Sequence, residues 1–156
     1  MRGTALAEGI GEKLTPLPPM PPCNILVAKP GISVSTKYVY ENLHANDLRP
    51  DQHPDIDGVL EALKKQDLSG MAEALRNGNV LETVTAEAYP VIGKLKETME
   101  ANGAAVALMS GSGPTVFGIY EDRMQARRAM AAIRKSRLAR QLFLTTPYNN
   151  NNRRNG

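Results

Sequence analysis

The sequence has a single cysteine, Cys23, no tryptophan and only two phenylalanines among its 156 residues. One cysteine excludes an intrachain disulfide and fits a reducing compartment. No apolar run approaches the ~20 residues that a membrane-spanning helix needs, and Glu8 comes too early for the N-terminus to act as a signal peptide. These absences predict a soluble, cytoplasmic protein whose core is built from aliphatic residues and methionine.

Acidic and basic residues are unevenly distributed along the chain. Residues 1–120 carry 10 basic and 14 acidic side chains, whereas residues 121–156 carry 9 basic and 2 acidic ones. Such a basic segment is typical either of a surface that contacts a polyanion or of a solvated helix face followed by a tail. No aromatic residues interleave with its arginines, so nucleic acid is an unfavoured partner.

The first 22 residues differ in character from the rest. Residues 3–17 are typical of extended structure, either a hairpin around Gly9-Ile10-Gly11 or a bent strand. Five prolines within residues 16–22 then predict a stiff spacer in the polyproline conformation. We predict a boundary between two structural units here, a main domain over 23–147, and a disordered Asn- and Arg-rich tail over 148–156.

From residue 24 onward, apolar runs and capping residues predict the order strand, helices, strand, strand, helix, strand. The strands are predicted at 24–28, 105–109, 115–120 and 142–145, with Pro90 either kinking a helix over 80–101 or starting a fresh one. The fold class is therefore α+β. The order is that of a ferredoxin-like β-α-β-β-α-β plait, with the first crossover enlarged into several helices.

The segment that indicates chemistry is the Gly- and Ser-rich turn between the two middle strands. Gly111 and Gly113 allow the backbone to turn sharply and to approach a ligand closely. Successive N–H groups in such a turn can bind an anion, and the hydroxyls of Ser110, Ser112 and Thr115 add neutral donors. The spacing alone leaves an ordinary hairpin loop equally open.

Several segments carry a more specific resemblance. Residues 110–117, SGSGPTVF, resemble the third conserved motif of the GHMP kinases, a superfamily that includes galactokinase, homoserine kinase and mevalonate kinase. Residues 2–12, 27–36 and 79–82, which read RGTALAEGIGE, VAKPGISVST and NVLE, are similar to segments of the 4-diphosphocytidyl-2-C-methyl-D-erythritol kinase family within it. The likeness extends in order from residue 1 to about residue 146.

The resemblance implies ATP-dependent phosphorylation of the 2-hydroxyl of 4-diphosphocytidyl-2-C-methyl-D-erythritol, in the non-mevalonate isoprenoid route. It implies a GHMP kinase C-terminal domain, preceded in residues 1–22 by a strand remnant of the N-terminal kinase domain. The third motif of the family lies beside the ATP phosphates, which implies that role for Gly111, Ser112, Gly113 and Thr115. Substrate binding is implied for Thr36 and Tyr40. Tyr40 matches an aromatic that stacks on cytosine, although Tyr40 could instead be a half-buried helix residue.

Other parts of the family pattern are missing. The glycine-rich ATP loop, an early lysine motif and the aspartate expected just before Arg2 do not occur in the 156 residues. We therefore predict no catalytic residue and no metal ligand in this chain, although ATP and magnesium are the cofactors of the family. The chain alone is predicted to be inactive, either as the product of a misplaced start or as one piece of a split protein with a separate N-terminal half.

Two alternatives from other classes remain open. One is a stand-alone ferredoxin-like module that contacts nucleic acid or another polyanion through its basic C-terminal helix. The other is a structural partner that completes a separate chain. His44 and His53 are interpreted as surface histidines, and Cys23 has no evident base that would make it a nucleophile.

Overall fold

A computed structural model describes residues 3–149. The chain opens with a hairpin of two strands, β1 (Ala5–Glu8) and β2 (Lys13–Pro16), which pair antiparallel with each other. Gly9 and Gly11 adopt positive φ angles of 69° and 97° in the turn between them, a conformation that glycine tolerates at little cost. Of the two structures predicted for residues 3–17, a hairpin or a bent strand, the chain forms the hairpin.

The main sheet has four strands, in the spatial order β4-β5-β3-β6, and every neighbouring pair is antiparallel. These strands are β3 (Asn24–Lys29), β4 (Val106–Met109), β5 (Val116–Tyr120) and β6 (Gln141–Thr145). The strands of the first β-α-β unit, β3 and β4, thus alternate in the sheet with those of the second unit, β5 and β6. A ferredoxin-like plait requires this alternation. The α+β fold predicted from the order of elements is confirmed.

Five helices form the enlarged crossover between β3 and β4: α1 (Thr36–Glu41), α2 (Ile56–Lys65), α3 (Leu68–Leu75), α4 (Leu81–Ala88) and α5 (Val91–Ala101). The sixth helix, α6 (Arg123–Ser136), connects β5 to β6. Asp55, Asp67 and Asp122 each accept a backbone N–H at the start of a helix, as capping residues do. Pro90 separates α4 from α5, so it starts a fresh helix and does not kink a continuous one.

The polar stretch between α1 and α2 is partly regular. Two short 3₁₀ turns, Ala45–Asp47 and Pro50–Gln52, order this segment. Pro50 stands at the first position of its turn, where the missing N–H of proline is not needed.

Side chains of the sheet alternate between two cores. On one face, Leu26, Met109 and Tyr120 pack with α5 and α6 residues such as Met99 and Ile133. On the other face, Val106, Leu108 and Ile119 pack with residues of α2 and α3, among them Leu63 and Met71. Successive residues of a strand point to opposite faces, so both faces of this sheet are covered by helices.

The proline-rich segment lies against the second core. Leu17 and Met20 pack on the apolar cluster there, and the carbonyl of Pro19 accepts a hydrogen bond from Gln66 Nε2 at 2.8 Å. The proline-rich segment is therefore held to the domain by these contacts. Asn149 Nδ2 donates to the carbonyl of Met20 at 3.2 Å. Residues 150–156 of the predicted tail lie outside the described residues, and the division at residue 22 stays a prediction.

No helix within residues 3–149 combines the length and the apolar character needed to span a bilayer.

Candidate functional site

The Gly- and Ser-rich turn joins β4 to β5 at one end of the sheet. It is closed by two backbone hydrogen bonds, from the Ser110 N–H to the Thr115 carbonyl at 2.8 Å and from the Gly113 N–H to the Ser110 carbonyl at 3.0 Å. Ser110 and Gly111 are exposed, and residues 112–115 are half-buried. The turn therefore presents its first half to solvent and packs its second half on the domain.

Its two glycines have different surroundings. Both have positive φ angles, 56° at Gly111 and 86° at Gly113. A Cβ added at Gly111 would meet no atom within 4 Å, whereas one added at Gly113 would lie 2.7 Å from Met109 Sδ and 3.2 Å from Thr85 Cγ2. Gly111 is required by backbone conformation alone, and Gly113 also by close packing.

Helix α1 brings the two predicted parts of the site together. Thr36 Oγ1 lies 2.9 Å from Ser112 Oγ, so a predicted substrate residue contacts a predicted phosphate residue. Tyr40 stands one turn further along α1 on the same side as Thr36, and 60% of its surface is exposed. An exposed ring in this position is available for stacking and is not part of the core.

Tyr38 belongs to a different surface. It lines an open groove of about 640 Å³ between α1, the 3₁₀ turns and α4, together with His44 and Glu87. Tyr40 is absent from the lining of that groove. The neighbouring tyrosines of α1 thus face separate surroundings.

Helix α4 and Asn79, two residues before its start, hold the turn through hydrogen bonds. The buried Thr85 hydroxyl contacts the Ser112 carbonyl at 3.1 Å and the Leu81 carbonyl at 3.3 Å. Asn79 Nδ2 donates to the Met109 carbonyl and to the Gly111 carbonyl, both at 2.8 Å. The turn is therefore fixed by tertiary hydrogen bonds in addition to its own.

Two N–H groups of the turn have no acceptor. Within residues 3–149, the backbone N–H of Gly111 and that of Ser112 donate to no protein group. Together with the hydroxyls of Ser110 and Ser112 they form a set of donors that bond to no carboxylate among the described residues. Such a set suits a phosphate oxygen.

Sequence reasoning gave no role to Asn79, Thr85 and Glu82. Asn79 and Glu82 have the spacing of a capping box, in which the glutamate would reach back to the N–H of the capping residue. Asn79 Oδ1 does accept the N–H of Leu81 at 3.1 Å, but Glu82 Oε2 instead accepts the N–H of Met109 at 2.9 Å. The spacing of Asn79 and Glu82 predicts the start of a helix, but it does not predict their hydrogen bonds to the end of β4 and to the turn.

The remaining candidate groups form no second site. His44 and His53 are exposed. Burial raises the pKa of the Cys23 thiol to about 11, so the nucleophilic thiolate is scarce at neutral pH. In the described part of the chain, no group of three or more His, Cys, Asp or Glu side chains is arranged to hold a metal ion.

Within residues 121–149, the basic side chains lie on α6 and in the loop after it. Arg127, Arg128 and Arg134 are exposed there, while Ala126, Ala129 and Ile133 face the core. Among residues 3–149, nothing in the fold supports nucleic-acid binding over a solvated helix face.

Comparison with known families defines the class of protein. The family model of the GHMP kinase C-terminal domain matches residues 59–138, about half of the chain. The chain therefore belongs to the GHMP kinase family, as its 110–117 motif indicated.

Individual relatives show which members of this family the chain is similar to in sequence. Over 95% of its length the chain is 53% identical to a 4-diphosphocytidyl-2-C-methyl-D-erythritol kinase of Lachnospira eligens, and over 97% it is 48% identical to the kinase of the same name from Lachnoclostridium phytofermentans. It covers 50% and 51% of these two proteins, so the chain spans about half the length of the curated relatives it matches.

Solved structures of kinases match the fold of this chain. A crystal structure of 4-(cytidine 5'-diphospho)-2C-methyl-D-erythritol kinase matches with a TM-score of 0.69 and 32% identity, over 93% of this chain and 50% of that one. A homoserine kinase from Cytophaga hutchinsonii matches with a TM-score of 0.72 at 20% identity, over 93% of this chain and 47% of that one. The second match shows the shared fold alone.

Proposed function

We propose that this chain is the C-terminal half of an ATP-dependent kinase that phosphorylates the 2-hydroxyl of 4-diphosphocytidyl-2-C-methyl-D-erythritol in the non-mevalonate isoprenoid route. The relatives named for this activity share 53% and 48% identity with nearly the whole chain. The structural observation that carries the proposal is the 110–115 turn, whose unoccupied donors lie beside Thr36 of α1. A soluble nucleotide derivative as substrate fits an enzyme of the cytoplasm.

The residues of the turn would receive the phosphates of ATP. Phosphoryl transfer depends mainly on positioning and on stabilising charge on the phosphate oxygens. The N–H groups of Gly111 and Ser112 donate to these oxygens, Gly113 permits the close turn, and the Thr115 carbonyl keeps the turn closed through Ser110.

The exposed side of α1 would receive the cytidine part of the substrate. An aromatic ring stacks on a pyrimidine base without needing a particular hydrogen-bond pattern, and the exposed ring of Tyr40 meets that requirement. Thr36 lies between this ring and the turn, which suits a contact to the diphosphate or to the sugar.

Magnesium would accompany ATP and help to neutralise its phosphates. Following the family resemblance, we assign its protein ligands to the half of the kinase that this chain does not span. The catalytic base is assigned there as well.

A fusion tests the function directly. The N-terminal half of the Lachnospira eligens relative, joined ahead of residues 1–156, is expected to release ADP from ATP only when the cytidine substrate is present. Homoserine and mevalonate are the control substrates, and the 156-residue chain alone is expected to show no turnover. A folded fusion that phosphorylates mevalonate equally well, or activity of the chain alone, would contradict the proposal.

A further inference from the structure

Asn79 is the residue that joins the start of α4 to the turn. One amide nitrogen, Asn79 Nδ2, donates to two carbonyls of the turn, and Asn79 Oδ1 accepts the N–H of Leu81. Glu82 holds the same strand end from the other side, because its Oε2 accepts the Met109 N–H. Its other oxygen, Oε1, is paired with Lys96. Met109 is therefore anchored through both its N–H and its carbonyl.

The bond to Gly111 has a consequence for anion binding. In a trans peptide the C=O of one residue and the N–H of the next point in opposite directions. The Gly111 carbonyl and the Ser112 N–H share one peptide unit, so the hydrogen bond to Asn79 fixes the direction of the Ser112 N–H. The Ser110 carbonyl, held by the Gly113 N–H, fixes the Gly111 N–H in the same way.

We propose that Asn79 is a positioning residue for phosphate binding. By holding the Gly111 carbonyl it keeps the Ser112 N–H turned toward the anion and prevents the carbonyl from taking that place. Glycine at 111 makes this constraint necessary, since its peptide unit can rotate more freely than that of any other residue. The role of Asn79 in ATP binding rests on the proposed kinase function, whereas its hold on the turn does not.

Asn79→Asp separates this role from helix capping. Aspartate caps a helix about as well as asparagine does, so α4 retains its acceptor for the Leu81 N–H. Aspartate cannot donate, and it places a carboxylate against the carbonyls of Met109 and Gly111. The 111–112 peptide is then expected to turn over.

Asn77→Asp is the matched control. Its Nδ2 donates to the carbonyl of Asp51 at 2.8 Å and makes no bond to the turn. The substitution adds the same charge two residues away and removes one amide-to-carbonyl bond. An effect of negative charge alone would therefore appear in both variants.

Two measurements judge the proposal. In the 156-residue chain, Asn79→Asp is expected to speed amide exchange of Gly113 by at least about tenfold, because its acceptor shifts with the turn. Exchange at Thr85, within the capped helix, should stay unchanged, and Asn77→Asp should alter neither. Unchanged exchange at Gly113, or equal acceleration throughout α4, would overturn the positioning role.

In the fusion, Asn79→Asp is expected to lower kcat/KM for ATP by about 10- to 100-fold, the cost of misplacing a group by about 1 Å. KM for the cytidine substrate should change little, a split that general destabilisation does not produce. An equal loss in Asn77→Asp, or a loss confined to the cytidine substrate, would overturn the role in ATP binding. An inactive wild-type fusion would refute the proposed function and leave the exchange result standing.

Discussion

Two hairpins of this chain turn through the same Gly-x-Gly pattern but differ in their contacts with the rest of the domain. Gly9-Ile10-Gly11 and Gly111-Ser112-Gly113 both place their two glycines at positive φ. The first turn leaves Ile10 99% exposed, and among the described residues its strands pair only with each other. The second receives hydrogen bonds from Thr85 and Asn79 and contacts Thr36.

The difference lies in the residues around the turn. In the first hairpin, the Ile10 N–H is satisfied locally by the carboxylate of Glu12. An acidic side chain there would repel an anion. In the second, carbonyls are held by the domain and the N–H groups of Gly111 and Ser112 are left without an acceptor within residues 3–149. The Gly-x-Gly pattern alone therefore determines the turn, whereas N–H groups without an acceptor are what the proposed phosphate site requires.

The largest expected effect comes from placing valine at one glycine of each turn. Gly113→Val forces a branched side chain into a positive φ and against Met109 and Thr85, so the free energy of unfolding should fall by at least about 3 kcal/mol. Gly11→Val shares the strain of a positive φ but has open space. Because it lies in a hairpin that can fray alone, its cost to the free energy of global unfolding should be below about 1 kcal/mol. Urea unfolding measures the free energy of unfolding of both variants. Equal losses would contradict the difference between the two turns.

Next in size is the effect on the substrate side of α1. In the fusion, Tyr40→Ala should raise KM for the cytidine substrate by about tenfold or more, because stacking on a base contributes about 1–3 kcal/mol. KM for ATP should stay nearly constant. Tyr38→Ala, an exposed tyrosine of the same helix facing another groove, is the control. If both substitutions weaken the substrate alike, Tyr40 is not the stacking residue.

A smaller loss in the free energy of unfolding is expected when the hydrogen bond from α4 to the second turn is removed. Thr85→Val keeps the shape of a fully buried side chain but leaves the Ser112 carbonyl without its donor. We expect the free energy of unfolding to fall by about 1–2 kcal/mol. Thr98→Val removes a hydroxyl bond within a helix, to Lys94, and should cost less than about 0.5 kcal/mol. Thermal unfolding of the pair checks this, and a neutral Thr85→Val would argue against the support.

A substitution in the first turn is expected to have the smallest effect on the free energy of unfolding. Its main expected effect is on self-association of the chain. Ile10→Asn removes an exposed apolar side chain and should leave unfolding within about 0.5 kcal/mol of the starting protein. Exposed apolar surface favours self-association, so sedimentation velocity should show fewer oligomers in the variant. Leu14→Asn, at an exposed leucine of the same hairpin, is the second substitution. Unchanged association after both substitutions would mean that the hairpin is not the contact.

Local patterns predicted most of the fold. Apolar runs located the four strands of the sheet, and capping residues indicated helix starts, because strand burial and helix capping act within a few residues. The docking of the proline-rich segment on α2 was not foreseen, since it depends on Gln66, distant in sequence.

The site was predicted only in part for the same reason. Glycine and serine spacing pointed to the 110–115 turn, and the family resemblance added Thr36 and Tyr40. The contact of Thr36 with Ser112 and the bond from Asn79 to Gly111 join residues 76 and 32 positions apart, respectively. Such contacts exist only once the plait has formed, and no local pattern carries them.

The most direct test of the central claim compares the amides of the two turns during a titration with ATP. In the fusion labelled with ¹⁵N, the account predicts that the resonances of Gly111 and Ser112 shift as ATP is added, while those of Ile10 and Gly11 stay in place. The Gly111 and Ser112 shifts should be absent with adenosine, which lacks phosphates. Equal movement of both turns, or no movement at Gly111 and Ser112 at saturating ATP, would contradict the assignment of the 110–115 turn as the phosphate site.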